Sequence, residues 1–112
     1  MPDARALYRE GFKLFAEDRI DEAIDCYRRA VDAEPDLAIA WNGLSMTLKR
    51  KGDLDGAIEA GLKIVELEFD DPLSHTNLSI LYQAKGMIQE AEDEKALAMQ
   101  LQSRAESNAK AD

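Results

Sequence analysis

The sequence predicts an all-α fold: three stacked helix pairs, six main helices, wound into a solenoid. Three observations predict it. One layout is written three times, as LYREGFKLFAEDRIDEAI, WNGLSMTLKRKGDLDGAI and HTNLSILYQAKGMIQEAE. The copies keep a single offset, since Ala23, Ala57 and Ala91 stand 34 residues apart. Within each copy, apolar residues recur at helical spacing, and glycine or proline interrupts each run.

The first helix is expected over residues 4–17, where Leu7, Gly11 and Leu14 mark one face. Its partner, over 20–33, runs through Ile20, Ala23 and Ala30, with Asp18 as a suitable N-cap. Glu34-Pro35-Asp36 closes the copy. The second pair is expected at 38–51 and 54–67. Trp41, Leu44, Ser45 and Leu48 share a buried face there. Ser45 sits where two helices cross closely, a place held by Gly11 and Ser79 in the other copies. A large side chain at that crossing forces the helices apart. Gly52 suits a left-handed C-cap, and Asp53 suits the N-cap of the helix through Leu54, Ala57, Ile58, Ile64 and Val65. The third pair is expected at 72–85 and 88–107. Pro72 opens it under an Asp71 cap, and Gly86 ends its first helix. His75 continues the column of Leu7 and Trp41; Tyr82, Ile88 and Ala98 continue three others.

A 34-residue period with this order of large and small residues resembles the tetratricopeptide repeat. The resemblance covers residues 4–105. It implies one domain over 1–112, with repeats at 4–37, 38–71 and 72–105 and a polar tail at 106–112. It also implies a right-handed α-solenoid in which each unit buries its apolar face only against the next. First helices then line the concave side and second helices the convex side. One sub-family grips acidic chaperone tails with a clamp of Lys, Asn, Asn, Lys and Arg. The matching places here hold Tyr8, Phe12, Gly43, Leu73 and Asn77, so the clamp is absent.

On that geometry, the inward positions follow from helical spacing. They are Tyr8, Phe12 and Phe15, with Arg5, in the first copy; Ile39, Asn42, Met46 and Lys49 in the second; Leu73, Thr76, Ile80 and Gln83 in the third. Phe12, Met46 and Ile80 occupy one column. An apolar row of this kind suits a short apolar peptide or an amphipathic helix, and the thioether of Met46 adapts to varied partners. Asn42, Thr76 and Gln83 can bond a peptide backbone, and Lys49 or Arg5 can meet a carboxylate. The competing reading is local packing, which applies most to Phe15. The acids, Asp21, Asp55 and Glu94 among them, fall on the convex helices and loops.

Composition narrows the function. With 112 residues, 46% of them apolar, the chain can build one core but not two. Its formal charge is −9, from 23 acids and 14 bases. Nucleic acid is a poor partner for such a chain, because phosphate binding draws on clustered Lys and Arg. Anionic membranes repel it. Cys26 is the only cysteine, so no internal disulfide forms. MPDARALYREGF lacks the apolar core of a signal peptide. A cytoplasmic protein is expected.

No metal, cofactor or catalytic centre is expected. His75 falls in a core column and reads as a packed, hydrogen-bonded side chain. Cys26 has no histidine partner in the repeat pattern, and Asp21 and Asp25 oppose a thiolate. Asp70-Asp71 reads as loop and cap, without the ligand order of a calcium loop. The expected function is therefore a non-catalytic interaction or scaffold module.

Two departures complete the reading. Gly61 stands where the first copy has Tyr27, with Phe69 as the expected filler of the space. Glu92 and Lys95 stand where earlier copies are apolar or small, which suggests the end of the array, while Leu97, Met99 and Leu101 form an expected exposed strip. That strip motivates an alternative function, a self-assembling protein that oligomerises through its last helix.

Overall fold

A computed structural model of the chain describes residues 3–111. It contains six α-helices: α1 Ala4–Ala16, α2 Ile20–Ala33, α3 Ala38–Lys51, α4 Leu54–Leu67, α5 Pro72–Lys85 and α6 Ile88–Ala111. Among the described residues there is no strand. Five helices fall within a residue of expectation. The sixth runs past 107 and through the expected polar tail. Residues 106–110 of that tail are exposed and helical. Residue 112 lies outside the described residues.

The breaks have local causes. Asp53 accepts from the Gly56 N–H at 2.9 Å and Asp71 from the Leu73 N–H at 3.0 Å, which satisfies backbone donors that helix starts leave open. Gly52 and Gly86 end α3 and α5 with φ of 95° and 85°. The same place in the first copy holds Asp18, at φ 62°. Asp18 is therefore not the N-cap of α2. That position belongs to Arg19, which makes no capping side-chain bond. The turn needs a left-handed residue, and aspartate tolerates that conformation better than most.

Substantial packing joins consecutive helices and, besides these, α1 with α3. This is the contact pattern of a solenoid. The radius of gyration is 15.1 Å, against about 13 Å for a compact domain of this length.

The same bonds recur from repeat to repeat. Ser45 Oγ donates to the Ala57 carbonyl at 2.9 Å, and Ser79 Oγ to the Ala91 carbonyl at 2.7 Å. Trp41 Nε1 donates to the Pro35 carbonyl at 2.7 Å; His75 Nε2 meets the Phe69 carbonyl at the same distance. Each pair of bonds is offset by 34 residues, so His75 performs the tie of the Trp41 indole. Lys51 pairs with Asp21 at 2.6 Å, and Lys85 pairs with Asp55 one repeat later. Arg50 adds a bond to Asp18 at 2.8 Å. These exposed pairs contribute modestly, on the order of 0–1 kcal/mol each.

Junctions between repeats differ. In the first, the Tyr27 ring is fully buried. A Cβ on Gly11 would lie 2.9 Å from it and one on Gly43 2.5 Å. In the second, the place of Tyr27 is Gly61, and the space is taken by Leu78 and Leu81 of α5. Phe69 does not fill it; that ring is exposed and packs edge-on against His75, centroids 5.0 Å apart.

Candidate functional site

The wall formed by α1, α3 and α5 carries every residue expected to face inward. Phe12, Met46 and Ile80 are 54%, 42% and 46% exposed, one on each first helix. Large apolar side chains left this open, in a column, are not core residues. Ile39 and Leu73 are exposed as well, as are Asn42, Lys49, Thr76 and Gln83. Tyr8 and Phe15 are half-buried and pack against the core. Tyr8 lies 5.9 Å from the Tyr27 ring and 6.4 Å from Phe12, centroid to centroid. The aromatic end thus roots one ring in the interior and offers another to solvent.

Cavities cluster at the other end of the wall. One of about 240 Å³ lies between α3 and α5, lined by Asn42, Met46, Lys49, Asn77 and Ile80. A second of about 170 Å³ lies beside it, with Ile39, Asn42, Leu73 and Asn77 on its rim. A third, about 660 Å³, lies between α5 and α6 and takes in Leu73, Thr76, Ile80 and Gln83. Tyr8, Phe12 and Phe15 line none of these three.

The cleft between α3 and α5 has a cause in the sequence. Glycine at position 43 lets α3 settle on Tyr27 and against α1. One repeat on, the same column holds Asn77, and no comparable packing joins α3 to α5. The opening is edged by Asn77 instead. Sequence reasoning missed Asn77 as a lining residue, although its register with Gly43 was available.

Chemistry on the wall is limited to hydrogen bonding, unpaired cations and apolar contact. Lys49 has no ion-pair partner among the described residues. No group of three His, Cys, Asp or Glu among the described residues is placed to hold a metal. His75 is fully buried, and its Nδ1 lies within hydrogen-bond distance of Glu94 Oε2, at 2.6 Å. Glu94, on the second helix of its pair as expected, is therefore half-buried and engaged. Burial, and then the Asp25 carboxylate, pushes the Cys26 thiol above its ordinary range, which keeps it protonated and unreactive. Leu101 is buried and Leu97 half-buried, which corrects the expected exposed strip; only Met99 of that trio is open. Among the described residues, no helix is long and apolar enough to cross a membrane.

Residues 4–37 and 38–71 each match a family model described as Tetratricopeptide repeat. The chain is 33% identical over 58 residues to a peroxisomal targeting signal receptor of Candida albicans, covering 52% of this chain and 10% of that protein. It is 26% identical over 91 residues to the receptor of the same name in Eremothecium gossypii, covering 81% and 16%. The chain thus spans only a small part of the curated relatives it matches. Among solved structures, the crystal structure of MamA superposes with a TM-score of 0.88 at 26% identity, over 94% of this chain and 61% of that one. The first TPR of Spaghetti (RPAP3), bound to the HSP90 peptide SRMEEVD, superposes at 0.82 with 23% identity, over 98% and 94%, and shows the shared fold.

Proposed function

Because the chain belongs to the tetratricopeptide repeat family, we propose that it is a non-catalytic interaction module that holds a segment of a partner protein along the wall of α1, α3 and α5. One observation carries the reading: Phe12, Met46 and Ile80 form an open apolar column at repeat spacing beside the α3–α5 cleft. Burying such a column stabilises a complex by about 25 cal/mol per Å² of apolar surface, before the costs of association. Asn42, Asn77 and Gln83 supply amides for a partner's backbone, and Lys49 meets an acidic group. Similarity to receptors for a targeting signal supports a short segment of another protein as the occupant.

The test is affinity capture with the wild type and the Phe12→Asp, Met46→Asp double variant. Both side chains are exposed, so helicity by circular dichroism stays unchanged while capture is lost. Capture that survives both charges removes the wall from the account. A second reading, self-association through α6, draws on Met99, which is 65% exposed. Light scattering across a concentration series decides it, and a strict monomer ends it.

A further inference from the structure

His75 is the sole histidine of the chain, and its ring is fully buried where three segments meet. Nε2 lies 2.7 Å from the Phe69 carbonyl, in the turn after α4, and Nδ1 lies 2.6 Å from Glu94 Oε2 on α6. A carbonyl oxygen only accepts, so Nε2 carries a hydrogen. In a neutral imidazole Nδ1 is then an acceptor, and an ionised carboxylate is an acceptor as well. Two acceptors at this distance repel. The contact therefore requires a proton between them, held as imidazolium with carboxylate or as imidazole with carboxylic acid.

The repeats change both residues together. One repeat earlier, Trp41 takes the place of His75 and Ala60 the place of Glu94. The Trp41 indole makes the same tie, to the Pro35 carbonyl, and Ala60 is buried as a methyl that needs no partner. Neither an indole nor a methyl titrates. In the third repeat a carboxylate arrives with the imidazole and gives its second nitrogen a partner.

We infer that one proton, held between His75 and Glu94, locks α6 onto α5, and that its release loosens the third repeat. Glu94 keeps 21% of its side chain in solvent and His75 only 1%, so α6 is the side that yields. Among the described residues, no other charged side chain bonds the ring. On α4, Lys63 pairs with Glu66. In the turn, Asp71 caps α5, and Glu68 and Asp70 are exposed. On α6, Glu90 and Lys95 are exposed. On α5, burial and then the Glu94 and Glu90 carboxylates push the Tyr82 phenol up. The lock also bears on the cavity between α5 and α6, because both its walls belong to the locked pair.

The sign of the effect follows from proton counting. Between about pH 4.3 and about pH 6.5 an unfolded chain holds the same proton on histidine, so the contribution is level. Above about pH 6.5 the folded state holds the extra proton. Stability then falls as pH rises, by up to about tenfold in the folding constant per pH unit, until the bridge lets go.

Glu94→Gln is the decisive variant, since its amide N–H donates to a neutral Nδ1 and keeps the tie without a titrating proton. Urea denaturation of the full chain from about pH 5 to about pH 9 reads the folding constants, and groups outside the bridge cancel in the ratio of wild type to variant. That ratio falls by up to about tenfold per pH unit above about pH 6.5, and the ratio of His75→Trp to Glu94→Gln stays level. In the wild type, nitrogen-15 ring signals and the Glu94 carboxyl carbon signal show the proton in place while α6 is docked. As it leaves, amide protection, corrected for the intrinsic pH dependence of exchange, drops first in α6. A wild-type ratio that stays level throughout overturns the proposal. So does a neutral ring beside an ionised Glu94 with α6 still protected, or protection that is lost first in another helix.

Discussion

The Tyr27 ring lies so close to Gly43 that a Cβ added there would stand 2.5 Å from Cε1. This contact joins the first two repeats, and a Cβ on Gly11 would lie 2.9 Å from the same ring, which is why the close-crossing column is glycine in the first copy. Ser45 and Ser79 belong to copies in which Gly61 and Lys95 take the place of Tyr27. They have room for a hydroxyl, and each uses it on a carbonyl of the partner helix.

Gly43→Ala therefore destabilises the fold despite the better helix propensity of alanine. Overpacking against the ring costs about 1–3 kcal/mol. Gly61→Ala is the counter-experiment. Its Cβ would meet only the terminal methyls of Leu78 and Leu81, at 3.3 and 3.4 Å, and these can give. The propensity gain of about 1 kcal/mol is then largely kept. Urea denaturation of the two variants checks the opposite signs; destabilisation of similar size in both contradicts the account.

Tyr27 also buries a hydroxyl with no hydrogen-bond partner among the protein atoms described. Tyr27→Phe keeps the ring and removes the unpaired group, so stability rises by about 1 kcal/mol. The gain appears as a higher urea midpoint at neutral pH.

The same burial, and then the neighbouring Tyr8 and Cys26, push the Tyr27 phenol from 10.0 up to about 12. An unfolded chain releases this proton first, so between those values the folded state holds more protons. Stability from this group is constant below about pH 10 and falls as pH rises towards 12. Tyr27→Phe lacks that slope. The difference between wild type and variant, measured at about pH 8 and about pH 11, widens in the variant's favour. A difference that stays constant refutes the shift.

Asp18 holds a left-handed backbone at φ 62°, where the later repeats use glycine. Asp18→Gly relieves a cost of about 0.5–1 kcal/mol and loses an exposed bond to Arg50 that contributes less. The variant melts a few degrees higher. A drop in melting temperature shows that the Arg50 pair outweighs the backbone term.

His75→Ala empties a fully buried position and removes the ring whose Nε2 bonds the Phe69 carbonyl and whose Nδ1 bonds Glu94. The expected loss is about 2–4 kcal/mol. His75→Trp restores the indole tie that Trp41 makes but strands Glu94, so it recovers only part of the loss in chemical denaturation.

Much of this architecture was legible because repetition is a strong signal. A column read once in Ala23 is tested again in Ala57 and Ala91, and Gly52 and Gly86 mark helix ends by a backbone conformation few residues tolerate. The open column of Phe12, Met46 and Ile80 was legible for the same reason. What escaped were places where one copy compensates for another. Gly61 pointed to a gap, but its filler came from Leu78 and Leu81 on the next helix, a contact across a junction rather than along the chain. Asp18 looked like a cap because aspartate usually is one; its register with Gly52 was the better guide. Leu101 looked exposed because Glu92 and Lys95 are polar, yet helical periodicity turns it back onto α5.

No substantial packing joins the first helix pair to the third. Whatever is felt at Met99 can reach Phe12 only through α3 and α4. The molecule behaves as three links in series. Its two ends can respond separately whenever the middle link gives.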